Sequence, residues 1–175
     1  MKFRLDLLSL CLAAASVGMA QVPAAAPRWP PASDPAARGP SIALAVEAAQ
    51  AAVATCNAQG AHIGVSVVDS AGVLKAMIAD DGANKRSVMT SLAKAMAAND
   101  FKMPSKELAD KIKTDVALAE RVKSNASYDA GSGALPMTVN GEVIGAIGVG
   151  GARGSPTQDE DCARAGLEKV RSRLK

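Results

Sequence analysis

Histidine, aromatic residues and long apolar runs are all scarce in this chain of 175 residues. His62 is the only histidine, which excludes a paired-histidine metal site, and the ligand spacings of zinc sites are missing as well. A Ser-His-Asp triad would have to use His62, and no Gly-x-Ser-x-Gly elbow accompanies it. Aromatic residues make up 2% of the chain, namely Trp29, Tyr128, Phe3 and Phe101, so any core is aliphatic. No stretch reaches the length of a membrane span. The formal charge of +3 includes Lys2 and Arg4 at the extreme N-terminus, and so little excess charge gives no argument for nucleic acid.

The N-terminus reads as an address rather than as fold. Lys2 and Arg4 form a short basic region, Leu5–Val17 is mostly apolar and interrupted by Asp6, and Gly18-Met19-Ala20 offers small residues for cleavage. The expectation is a signal peptide over residues 1–20 and a protein exported to the periplasm or beyond. A cytosolic chain with an apolar N-terminus is the competing reading. Cys11 does not mark a lipoprotein, because Leu10 stands where a small residue is needed. Residues 21–40 repeat Pro and Ala around Arg28-Trp29-Pro30-Pro31 and read as a disordered linker, with Trp29 either free or docked on a neighbouring subunit. Cys56 and Cys162 survive cleavage; in an oxidising compartment they form one disulfide, and otherwise they are two buried thiols.

Local signals then lay out residues 41–175. Ser41 caps a helix whose Ala45, Ala49, Ala52, Val53 and Cys56 share one face. Ile63–Asp69 and Val73–Ala79 read as strands around an Asp69-Ser70-Ala71-Gly72 turn. Asn84 caps a second helix with Val88, Leu92, Ala95, Met96 and Asn99 on one face, and Ser105 caps a short third one. Asp115 to Lys123 is another helical piece, and Ser124–Ala134 reads as a mobile loop. Asn140-Gly141 between two apolar runs is the strongest turn signal, because a type I′ turn needs positive φ at both residues. It joins Leu135–Val139 to Glu142–Val149, whose faces read as Val143, Ile147 and Val149 against Ile144, Ala146 and Gly148. The glycines of this strand leave room for another group, and a ligand is the reading that bears on function. Thr157 and Glu160 match a capping box opening the last helix. The pattern is α+β: an antiparallel sheet with the terminal helices on one face.

Few residues offer chemistry. Gly148-Val149-Gly150-Gly151-Ala152-Arg153-Gly154 precedes a helix, but its spacing is not that of a dinucleotide loop. Arg153 supports an anion there, whereas Asp159, Glu160 and Asp161 oppose one. Met77, Met89, Met96, Met103 and Met137 suit irregular packing and adaptable binding surfaces, and a thioether also ligates a soft metal or haem iron. Lys94 sits beside the apolar stripe of its helix, either flanking the sheet or snorkelling to solvent.

Val67-Val68-Asp69, Asp81-Gly82-Ala83, Ser87, Lys94-Ala95, Phe101, Pro104, Leu135-Pro136, Gly145-Ala146-Ile147-Gly148-Val149, Gln158-Asp159-Glu160 and Cys162-Ala163 occur in this order. Together they resemble the GlcG/HbpS family of haem-binding and haem-degradation-associated proteins, over residues 41–175. The resemblance implies an α-β-α layered domain of profilin-like type, often a homo-oligomer, that binds haem, a related tetrapyrrole or another small ligand. It implies ligand-binding or subunit-contact roles for Asp81, Gly82, Ser87, Lys94, Phe101, Leu135 and Pro136, with Asp81 and Lys94 as polar anchors. Gly82 and Pro136 are equally explained by turn geometry. His62 is the one candidate metal ligand. The chain departs from the family at Ser132-Gly133-Ala134, where relatives usually carry a glycine pair. With so few aromatic residues, haem is expected on an open or inter-subunit surface rather than in a deep pocket.

The reading that follows is an exported, non-catalytic small-ligand-binding protein. An enzyme of haem degradation or of small organic acid metabolism is the first alternative, although no catalytic constellation is recognisable. An oligomeric accessory to a sensory or uptake system is the second.

Overall fold

The computed structural model describes residues 37–175; the expected signal peptide, most of the linker and Trp29 lie outside the described residues. The described chain runs α1 (Ile42–Asn57), β1 (Gly64–Asp69), β2 (Leu74–Ala79), α2 (Lys85–Phe101), α3 (Ser105–Lys111), α4 (Val116–Lys123), β3 (Ala134–Val139), β4 (Glu142–Gly150) and α5 (Gln158–Val170), with a closing 3-10 turn. The strands form one antiparallel sheet in the order β2-β1-β4-β3. The fold is α+β, as expected. Among the described residues no helix is long and apolar enough to cross a membrane.

Several elements form for the reasons visible in their residues. Ser41, Asn84 and Asp115 each accept a backbone N–H three residues ahead, at Leu44, Ser87 and Leu118. Asn140 and Gly141 take φ of 51° and 82°, as the type I′ turn requires. Other expectations need correcting. Ser105 does not cap α3; Pro104 holds that position, and the Ser105 hydroxyl accepts from the Ala134 N–H at 2.9 Å instead. The capping box of α5 does not form, because Glu160 accepts from Arg164 and Ser132 while Thr157 donates to Asp161. The segment read as a mobile loop is tied down at Tyr128 and Asp129, and Ala134 already belongs to β3.

One face of the sheet carries α1 and α5 over an aliphatic core. Ile63, Val65, Val67, Leu135, Met137, Ile144, Ile147 and Val149 meet the alanines of α1 and the Ala163, Leu167 and Val170 stripe of α5. Simple alternation fails in β4. Met137 pairs with Gly145 and Thr138 with Val143, so Ile144 is the extra residue of a bulge and turns onto the same face as Ile147 and Val149. Cys56 and Cys162 are bridged, tying the end of α1 to the start of α5, which closes the question left open above.

The opposite face carries α2, and Gly148 and Gly150 of β4 serve it rather than a ligand. A Cβ at Gly148 would lie 2.2 Å from the Ser91 carbonyl oxygen, and one at Gly150 would lie 2.7 Å from that of Ser87. The backbone of α2 therefore rests almost directly on the strand. Its contact line is Ser87, Ser91, Ala95 and Ala98; of the expected face Ala95 and Asn99 are buried, whereas Val88, Leu92 and Met96 are only partly covered. Ser66 and Ser91 hydroxyls bond across this seam at 2.8 Å.

Candidate functional site

Because small residues of α2 face the sheet, its larger apolar residues are displaced to one side. There Met89, Leu92, Ala93 and Met96 meet Leu74 of β2, Ile112 after α3, Val122 of α4 and the Ala126–Gly131 loop, enclosing an apolar groove of about 1010 Å³. That volume is in the range of cofactor sites. Met89 is 57% exposed and Leu74 42%, which is unusual for large apolar groups without a partner.

The loop that walls the groove is held by polar bonds. The Tyr128 hydroxyl donates to Asp100 at 2.6 Å, and its ring packs edge-on against Phe101 with centroids 5.3 Å apart. The Asp100 carboxylate beside it, and then partial burial, raise the Tyr128 pKa above 10.0. Asp129 accepts from the Gly131 N–H at 2.7 Å, while its own N–H donates to the Ala93 carbonyl.

A second, polar cleft of about 500 Å³ shares Thr90, Asp129 and Gly131 with the groove. Asn84, Arg86, Ser87, Lys94, Gly151, Ala152 and Arg153 complete it. Lys94 is 7% exposed. Its ammonium donates to Asp159 at 2.7 Å and to the Val149 carbonyl at 3.1 Å. The other oxygen of Asp159 accepts from the Ala152 N–H at 2.9 Å, so the pair clamps α2 to the β4–α5 connection.

The expected site residues divide. Ser87 and Lys94 line the polar cleft together. Asp81 and Gly82 occupy the exposed turn before α2 and line neither the groove nor the cleft; a Cβ at Gly82 would strike the His62 ring. Phe101 is buried with Ala97, Leu108 and Val122 under the Arg121 guanidinium. Leu135 belongs to the core beneath α1 and α5, and Pro136 pairs with Ala146 inside the sheet. His62 lines a separate pocket of about 310 Å³. Its Nδ1 is bonded to Asp80, whose other oxygen accepts from Asn57 at 2.9 Å. The Asn57 and His62 bonds hold the Asp80 carboxyl below its usual value. Among the described residues no group of three potential metal ligands gathers.

Sequence reasoning missed Arg86, Thr90, Leu92 and Tyr128 as lining residues. The one usable signal was Met89 and Met96, seven residues apart and so on one side of α2.

The comparisons with known proteins agree with this fold. A double mutant of HbpS from Streptomyces reticuli is 33% identical with a TM-score of 0.69, over 83% of this chain and 97% of that one. Protein ORFY of Klebsiella pneumoniae is 27% identical with a TM-score of 0.71, over 82% and 97%. A PduOC–haem complex is 23% identical with a TM-score of 0.68, over 75% and 95%, a likeness that shows the fold alone. No curated protein matches the chain. The family described as haem degrading protein HbpS-like matches residues 41–168, and the chain accordingly belongs to the HbpS-like family.

Proposed function

We propose that this is an exported, non-catalytic protein that binds haem or a related tetrapyrrole in the groove beside α2. The apolar groove carries the reading: Leu74, Met89, Leu92, Met96, Ile112 and Val122 form an apolar wall, with Asp129 the one charged residue of the lining. Such a lining fits a flat apolar macrocycle held by aliphatic and thioether groups, in an open surface site. Bound haem would bring an iron centre, for which the exposed Met89 thioether is the soft donor of the lining. The Tyr128 hydroxyl is committed to Asp100, and His62 lies outside the groove, which supports binding rather than turnover. Family membership supports a haem-related ligand. The bridged Cys56–Cys162 pair supports export, since such bonds persist in oxidising compartments. Self-association is part of the proposal, supported by exposed Leu74 and Met77 on the edge strand β2 and by Val73 just before it.

Titration with haemin tests the reading. A saturable Soret shift at micromolar protein is expected. Leu74→Asp, at an exposed position, weakens binding roughly ten-fold or more, because a carboxylate must be desolvated against the macrocycle. No shift with the parent protein overturns the proposal.

A further inference from the structure

The polar cleft at the N-terminal end of the groove holds more positive charge than the fold uses. Lys94 spends its charge on Asp159. Arg86 and Arg153 are different: both are exposed, both line the cleft, and among the described residues neither makes an ion pair. Arg86 lies in the first turn of α2 beside Lys85, where the helix dipole disfavours cations and no acidic residue compensates. Arg153 leaves Asp159 to Ala152 and Lys94, and Glu160 to Arg164 and Ser132. The only carboxylate lining the cleft is Asp129, which turns one oxygen onto its own loop at Gly131.

Apolar groove and cationic cleft adjoin and share Thr90, Asp129 and Gly131 in their walls. From Arg86 to Met96 the shared wall is ten residues of α2, about 15 Å at the rise of a helix. A ligand that fills both is apolar along most of its length and anionic at one end. Guanidinium groups favour carboxylates, which they grip through parallel N–H donors.

We propose that Arg86 and Arg153 form a carboxylate-binding subsite that selects a dicarboxylic tetrapyrrole and orients it with its acidic edge toward the start of α2. This rests on the groove being the tetrapyrrole site. The subsite recognises the acid arms and not the metal, so iron-free ligands suffice to examine it.

The experiment compares protoporphyrin IX with its dimethyl ester by fluorescence titration, against the parent protein and the double variant Arg86→Gln, Arg153→Gln. Both arginines are exposed and free of internal ion pairs, so the double variant keeps the parent's circular dichroism and melting temperature. The parent is expected to bind the diacid about ten-fold more tightly than the ester, an advantage typical of charge-assisted hydrogen bonds. That advantage shrinks with added salt and disappears in the double variant, while ester binding is unchanged. Equal binding of both ligands by the parent overturns the subsite and leaves the groove reading standing. Failure of the parent to bind either ligand overturns both.

Discussion

The two faces of the sheet are built on different principles. Beneath α1 and α5, branched aliphatic side chains interlock and a disulfide joins the two helices. Each such side chain fully buried contributes about 1.5–3 kcal/mol. Beneath α2, alanine, serine and glycine meet backbone to backbone, and Lys94 is drawn inward by Asp159. Small side chains release little apolar surface, so this face relies on close approach and on hydrogen bonds worth about 1 kcal/mol each. The difference explains where the groove lies. A helix seated on glycines keeps its methionines and leucine off the sheet, and they are left to line a surface site. The interlocked aliphatic core lies on one face and the proposed binding site on the other.

That division is open to attack from either side. The largest effect is expected from the pair Cys56→Ala, Cys162→Ala, which opens a loop with a sequence separation of 106. Losing that constraint lowers unfolding free energy by about 4 kcal/mol, read from urea denaturation. Porphyrin affinity of the fraction still folded should not change. A parallel fall in affinity would show that the α1–α5 face shapes the groove after all. Next comes Lys94→Met, which leaves the nearly buried Asp159 carboxylate without its cation, at a cost of about 3 kcal/mol. Here stability and ligand affinity should fall together, because the same clamp positions Ala152 and Arg153 at the cleft. Adding Asp159→Asn recovers part of the stability. If Lys94→Met proves neutral, the ion pair does not hold α2 to the β4–α5 connection.

Features decided by neighbouring residues were legible in the sequence. The Asn140-Gly141 turn and the caps at Ser41 and Asn84 depend on a few adjacent atoms, and all three formed. Features decided by competition across the fold were not. Glu160 has Arg164 and Ser132 within reach, and the local capping box loses to them. Ile144 changes face because a bulge inserts one residue, which no alternation pattern reveals. The orientation of α2 is the instructive part-failure: of the expected face Val88, Leu92, Ala95, Met96 and Asn99, Ala95 and Asn99 are buried, but Gly148 and Gly150 admit only small partners and the three larger residues are moved aside. The candidate site inherits that error. Residues singled out by resemblance divide between the cleft, as Ser87 and Lys94, the interior, as Phe101 and Leu135, and the exposed turn of Asp81 and Gly82. The interior pair is explained by packing alone.

The smallest expected effect concerns the loop that closes the groove opposite α2. Tyr128 is the only tyrosine of the chain, so its ionisation is readable directly from tyrosinate absorbance. Its hydroxyl donates to Asp100, and that bond, followed by burial, raises the folded pKa above 10.0. A proton held more tightly in the folded state stabilises the protein fully below the unfolded pKa, and the gain is lost as pH rises through the higher folded value. The titration midpoint should therefore lie above 10.0, with porphyrin affinity falling over the same interval as the wall at Ala126–Gly131 loosens. Tyr128→Phe keeps the ring against Phe101 but removes the donor, costing about 1 kcal/mol and abolishing the alkaline step in affinity. An alkaline step that persists in the phenylalanine variant would assign it to other groups, and the loop would then owe its position to apolar packing alone.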